Sequence, residues 1–193
     1  AVDTASYAME VKGGNGYVEE FVHPRLLRNA QVLPIWEGAS NVMALDVLRA
    51  LNREAAHEPL LALVDDRLDA VSHPSLEPLA AEVEAAREGL ASAMATLAGQ
   101  SVDYAQRQAK DLADYVFDVT TAAVLLDQAQ RELDADGTAR KAAVADRFVE
   151  DHLRAQSERG ITSPDDLHPA VFDAIVRYAD LDPDRLDEPL VAD

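Results

Sequence analysis

The sequence predicts an all-α fold, an up-and-down four-helix bundle with additional C-terminal helices. Apolar residues recur at three-and-four spacing through long stretches that contain neither Gly nor Pro. Most Gly and Pro residues fall between those stretches, where they break helices. No alternating β-branched run is present, and the Asn15-Gly16 pair follows a helical segment rather than a strand.

In chain order, Ala1 to Val11 reads as the end of a helix with Val2, Ala5, Ala8 and Met9 on one face, and Gly13 stands at its C-cap. Residues 13 to 24 read as an irregular connection. Pro24 then suits the first turn of a short helix through Ala30, where its missing N–H costs nothing. Gln31 to Trp36 is too short for a period and reads as a buried loop. Ser40 or Asn41 can cap a helix to about Arg53, with Val42, Leu45, Leu48 and Leu51 inward and Asp46, Arg49 and Arg53 outward. Pro59, Pro74 and Pro78 break the next stretch around a short helix at Leu60 to Val71. A further helix spans Leu79 to about Leu97.

Ser101 opens the longest segment, which reaches Leu133. Its stripe of Val102, Ala105, Ala109, Leu112, Val116, Val119, Ala123, Leu126, Ala129 and Leu133 keeps helical spacing throughout. Asp134 to Gly137 reads as a turn. Thr138 to about Ser157, with Ala142, Ala145, Phe148 and Val149, forms the next helix and Gly160 closes it. Asp165 to Tyr178 is a last short helix, and Leu181 to Asp193 an acidic loose tail. The helix from Ser40 or the one at 60 to 71 completes a four-helix bundle with the three long helices of 79 to 157.

The 193 residues, 48% apolar, suffice for one sizeable domain or a domain with a small appendage. No run approaches the roughly 18 apolar residues of a membrane span, and no basic-then-apolar leader is visible, so a cytoplasmic chain without membrane insertion is expected. Its start at Ala1 rather than Met leaves room for an upstream part. With no cysteine, disulfides, thiolate metal sites and a cysteine nucleophile are excluded. The 36 acids against 17 bases give a net charge of −19, and Lys12, Lys110 and Lys141 are the lysines. Such an acidic surface resembles those of salt-adapted proteins and repels phosphate backbones, so no nucleic-acid partner is expected.

Glu37 is the candidate for chemistry. Val32, Leu33, Pro34, Ile35 and Trp36 precede it and offer little solvation, which would make its carboxylate a stronger base, suited to removing a proton from carbon. Its plain alternative is an N-terminal acid favoured by the dipole of the following helix. Gly13 to Gly16 lets backbone approach a ligand, or simply stops a helix; it lacks the order of a Rossmann turn and no strand precedes it. Glu54-Ala55-Ala56-His57 matches half of a di-iron site, but such a site also requires further glutamates on facing helices, and no metal site is expected. His23, His73, His152 and His168 read as solvated.

Three blocks resemble the C-terminal helical domain of the acyl-CoA dehydrogenase family: Ala8-Met9-Glu10-Val11-Lys12-Gly13-Gly14-Asn15-Gly16-Tyr17, Pro24-Arg25-Leu26-Leu27-Arg28-Asn29-Ala30, and Ile35-Trp36-Glu37-Gly38. They cover roughly residues 1 to 53, and Asn41 to Leu51 looks most like the AidB-like branch. The resemblance implies that the bundle is of that family's C-terminal type. It also implies a FAD enzyme in which the glutamate at the position of Glu37 takes the α-proton of an acyl-CoA thioester while hydride passes from the β-carbon to FAD. By similarity Gly13 and Gly14 border the FAD of a neighbouring subunit, and Ser40 and Asn41 lie near its diphosphate and adenine end. Trp36 and Gly38 flank the thioester, and Arg49 meets the CoA nucleotide.

Glu10 stands where many members place a glutamine that touches the cofactor, in agreement with the AidB-like branch. Ala39 replaces a usual threonine and Asn29 a usual aspartate. A homo-oligomer and an electron-transfer flavoprotein as acceptor are implied partners. The resemblance further implies that the family's N-terminal and middle domains lie outside this sequence, so that the chain alone would not turn over. The expected division is 1–57 for the end of the dehydrogenase domain, 58–180 for an additional helical region and 181–193 for the tail. A helical oligomerisation module that keeps the motif without its chemistry is the alternative.

Overall fold

In the computed structural model, which describes residues 1–36, 38–154 and 169–183, one 35-residue helix over Val102–Asp136 is the axis on which the other long helices pack. In order, the helices are α1 (Val2–Lys12), α2 (Gly14–Tyr17), α3 (His23–Gln31), α4 (Leu33–Trp36), α5 (Ser40–Glu54), α6 (His57–Asp69), α7 (Glu77–Ala98), α8 (Val102–Asp136), α9 (Arg140–His152) and α10 (Pro169–Arg177), with a 3-10 turn at Pro74–Leu76. No strand occurs among the described residues, so the all-α class holds. None of these helices is long and apolar enough to cross a membrane.

α8 starts and stops where its sequence directs. The Ser101 side chain accepts the Tyr104 N–H as a cap, and Gly137 ends the helix in the left-handed region, φ 67°, with its N–H on the Leu133 carbonyl. Ala105, Ala109, Leu112, Val119, Ala123, Leu126, Ala129 and Leu133 of the anticipated stripe are buried, whereas Val102, at the helix's first turn, is exposed. From Val119 to Gln130 no residue of α8 is exposed, because helices cover it on every side.

Polar contacts fix the directions of the neighbours. Tyr115 donates to the Ala86 carbonyl, and Gln130, further along α8, accepts the N–H groups of Ser72 and His73, just before α7, so α7 runs antiparallel to α8. Glu132 holds Arg140 at one end of α9 and Asp118 meets His152 at the other, so α9 is antiparallel as well. Arg67 of α6 reaches Asp127, while Ala44 of α5 lies beside Ala109; α5 and α6 therefore follow α8 in its own direction. Helices α6 to α9 thus alternate as an up-and-down bundle. Val64, Val83, Leu90, Val119, Leu126 and Val149 meet at its centre, fully buried, and the many alanines let the axes approach closely. Before the bundle, α1 packs on α2 and α3, and α3 on α4.

Several expectations are corrected. α5 turns Ala44 and Leu48 inward and leaves Val42 and Leu45 exposed, since small Ala44 lets it approach α8. Ala39, not Ser40 or Asn41, is the N-cap of α5, and no side chain caps it. Residues 14 to 17 make a helical turn within the expected irregular connection. Gln31 to Trp36 is not a buried loop: it forms the end of α3 and the turn α4, with Ile35 62% and Trp36 67% exposed. α9 begins at Arg140 because Thr138 is engaged elsewhere, its hydroxyl accepting the Leu181 N–H at 2.9 Å. Leu181 is consequently buried rather than part of a loose tail. His152 is paired with Asp118 at 3.0 Å and stacked on Phe148, and His73 bonds Ser75, so neither is simply solvated. Ser157, Gly160, Asp165, His168 and residues 184–193 lie outside the described residues.

Candidate functional site

The glycine run follows directly from helix termination. α1 ends at Lys12, and Gly13 adopts φ 57°, ψ −139°, a conformation that side chains resist. Gly14 then opens α2, with nothing within 4 Å of where a Cβ would stand. Gly16 differs from both. A Cβ there would lie 2.2 Å from the Met9 carbonyl oxygen, so α1 and α2 touch backbone to backbone only because this position is bare. Glu10, one turn before, is exposed. His23 keeps its Nδ1 buried with no hydrogen-bond partner among the described residues.

The second group lies between α4 and α5. Trp36 ends α4 with its ring in the open, and Glu37 itself lies outside the described residues. Gly38 has φ 128°, and a Cβ on it would stand 2.9 Å from the Met43 sulfur, so no other residue fits this bend without strain. Ser40 and Asn41 open α5. The Val42 and Met43 N–H groups turn back to the Ala39 carbonyl, whereas among the described residues no acceptor takes those of Ser40 and Asn41, and the positive end of the helix favours an anion.

Asn41 also lines a groove of about 450 Å³ together with Ala44 and Leu45 of α5 and Asp103, Gln106, Arg107, Ala109 and Lys110 of α8. Sequence patterning gave no warning of this. Arg107 and Lys110 lie three residues apart on the polar side of α8, and only the packing of α5 shows that this side faces Asn41.

Arg49 is placed differently from the other candidates. Its guanidinium bonds Asp46 at 2.6 Å and Glu54 at 2.5 Å, and the hydrogen bond from Arg49 holds the Asp46 carboxyl below the usual carboxylate range. Arg49 thus spends Nε and one Nη1 N–H on its own helix, and only its remaining guanidinium N–H groups are left to meet a ligand anion. The Glu54/His57 pair is split by Ala55, which ends α5 in the left-handed region at φ 50°, so the two side chains do not share a helix face. No group of three or more metal-binding side chains occurs among the described residues.

Comparison with known proteins agrees with this architecture. Residues 1–52 match the family described as acyl-CoA dehydrogenase, C-terminal domain, and residues 59–170, more than half of the chain, match the family described as acyl-CoA dehydrogenase 11 C-terminal domain-like. The chain is 56% identical over 55 residues to the protein named "Putative acyl-CoA dehydrogenase AidB" of Escherichia coli (strain K12), a stretch that is 28% of this chain and 10% of the relative. It is 54% identical over 52 residues to acyl-CoA dehydrogenase family member 11 of Caenorhabditis elegans, covering 27% of this chain and 8% of that protein. It is 40% identical over 48 residues to 3-methylmercaptopropionyl-CoA dehydrogenase of Ruegeria pomeroyi, covering 25% and 8%. The chain thus spans about a tenth of the length of the curated relatives it matches. No solved structure matches it. With an all-α bundle and a family match over most of its length, the chain belongs to the acyl-CoA dehydrogenase family, as a C-terminal helical region.

Proposed function

We propose that this chain supplies the catalytic base, Glu37, and part of the cofactor surface of a FAD-dependent acyl-CoA dehydrogenase that desaturates the α,β bond of an acyl-CoA thioester. The observation behind this is the Trp36-Glu37-Gly38 run, set between α4 and α5 inside the segment that matches the dehydrogenase C-terminal domain. A thioester α-proton is only weakly acidic, so its removal needs a poorly solvated carboxylate and donors aimed at the carbonyl oxygen. By likeness to the family, Glu37 would take that proton and its backbone N–H would donate to the oxygen, while Trp36 and Gly38 would bound the thioester. FAD, when bound, accepts the hydride from the β-carbon, and an electron-transfer flavoprotein reoxidises it.

The residues present fit the anionic part of that cofactor. Gly14 has open space in place of a side chain, and the end of α5 offers uncapped N–H groups at Ser40 and Asn41. Gly13, Gly14 and Glu10 would border the FAD of a neighbouring copy in a homo-oligomer, and Arg49 would meet the CoA nucleotide through the N–H groups that Asp46 and Glu54 leave free. In this account residues 1–57 hold the site and the helices that follow form an extension, against which Leu181 packs. Anaerobic mixing of the flavin-loaded enzyme with acyl-CoA tests it. Glu37→Gln should keep its yellow flavin and fail to bleach it, and bleaching at the wild-type rate rejects Glu37 as the base.

One observation favours a second account, a non-catalytic helical oligomerisation module. Tyr17, Phe21, Leu26, Leu33, Ile35 and Trp36 are all exposed, an apolar surface that suits association. A sizing column combined with FAD titration separates the two: an oligomer without flavin affinity, even beside the remaining domains, supports the module.

A further inference from the structure

The helical extension shares a groove with α5, and its charge is out of keeping with the chain around it. Acids outnumber bases by 36 to 17 over the whole sequence, yet the groove is lined by two cations, Arg107 and Lys110, against one carboxylate, Asp103. Lys110 is drawn toward Asp114 one turn further along α8. Arg107 makes no ion pair among the described residues, and its guanidinium lies 6.0 Å from the centre of the Tyr104 ring. In so acidic a molecule a carboxylate within reach would ordinarily claim an arginine, as Asp46 and Glu54 claim Arg49. Arg107 has been left with donors to spend.

Opposite it stands Asn41, an amide at the uncapped end of α5, where the helix adds its own partial positive charge. Ala44 and Ala109 give the groove a small apolar floor and Leu45 an apolar wall. Its volume, about 450 Å³, falls among those of small-molecule sites, roughly 300–1,000 Å³. A planar, apolar-faced group bearing phosphates suits this surface: the fork of an arginine matches phosphate oxygens two at a time, and an alanine floor accepts a flat ring.

We propose that the groove between α5 and α8 holds the adenosine diphosphate half of FAD, with Arg107, seconded by Lys110, as the phosphate-binding side chain facing Asn41. The inference rests on the assignment of Ser40 and Asn41 to the cofactor, and gives the helical extension a direct part in holding it. CoA carries the same adenosine diphosphate chemistry, so both ligands enter the test.

Calorimetric titration of this chain with ADP, FAD and CoA, near 0.15 M salt, decides the matter. At that ionic strength the Debye length is about 8 Å, so repulsion from the distant acids is screened while contacts within the groove persist. ADP and FAD should bind, Arg107→Gln should weaken both by about tenfold, the effect of one charge-assisted contact, and adding Lys110→Gln should weaken them further. Both positions are exposed and glutamine is a good helix former, so the variants should keep the helical circular dichroism of the parent. On adding ADP, the backbone amide resonances of Ser40 and Asn41 should move. Failure of ADP to bind, or affinities unchanged in the double variant, overturns the proposal. CoA binding that depends on Arg107 while FAD binding does not also overturns it, and gives the groove to the substrate's nucleotide. FAD binding lost in Asn41→Ala but kept in Arg107→Gln/Lys110→Gln overturns this inference alone and leaves Asn41 with the cofactor. The role of Glu37 is judged separately, by the chemistry of the acyl-CoA.

Discussion

Glycines 13, 14 and 16 look interchangeable as letters but differ in what they do. Gly16 lets α2 lie against the Met9 carbonyl, so Gly16→Ala should destabilise the fold by about 1–3 kcal/mol through overpacking, read as a lower midpoint of chemical denaturation. Gly14 has open space and an ordinary φ, so Gly14→Ala should stay within about 0.5 kcal/mol of the parent yet weaken FAD binding if backbone must approach the cofactor there. A sequence offers the cluster and not this division of labour, because only the path of α1 fixes which glycine is crowded. Arg49 teaches the same lesson. Its residue type suits a nucleotide phosphate, but whether it is free depends on the Asp46 and Glu54 side chains around it.

Among the helices foreseen from the sequence, α8 showed its inward face most clearly and α5 least, and the difference is one of length. A period sustained from Ala105 to Leu133 leaves no doubt about the inward face, whereas on fifteen-residue α5 two candidate faces compete and close approach to α8 selects the one carrying Ala44. Leu126, wholly buried at the bundle's centre, should cost about 2–5 kcal/mol as Leu126→Ala. Gln130 is a polar residue in the same core. Its side-chain oxygen accepts from Ser72 at 2.9 Å and from His73 at 2.8 Å, holding the connection between α6 and α7 against α8. Gln130→Leu should therefore lower stability despite the added apolar surface, by about 1–3 kcal/mol for each stranded donor, as measured by urea unfolding. No periodicity argument could find this contact, since it joins residues almost sixty positions apart.

At the scale of the whole molecule, the net charge of −19 and the exposed apolar face of α2 to α4 dominate. Self-repulsion among so many carboxylates should make thermal stability rise with salt, so a melting temperature several degrees higher near 1 M NaCl than at low ionic strength is expected. The apolar run from Val32 to Trp36 was legible as hydrophobic, but not as exposed, because burial is decided by what packs opposite and a run of five residues does not name its partner. Fold class could be read from spacing alone, whereas the proposed chemistry depends on one carboxylate and on a family resemblance. Its most direct test follows the proton. In the flavin-loaded dehydrogenase that contains this chain, an acyl-CoA incubated in deuterated solvent should take up deuterium at its α-carbon, read by NMR. Glu37→Gln should slow that exchange by at least about a hundredfold while retaining FAD; exchange at the parent's rate in the variant would contradict the account.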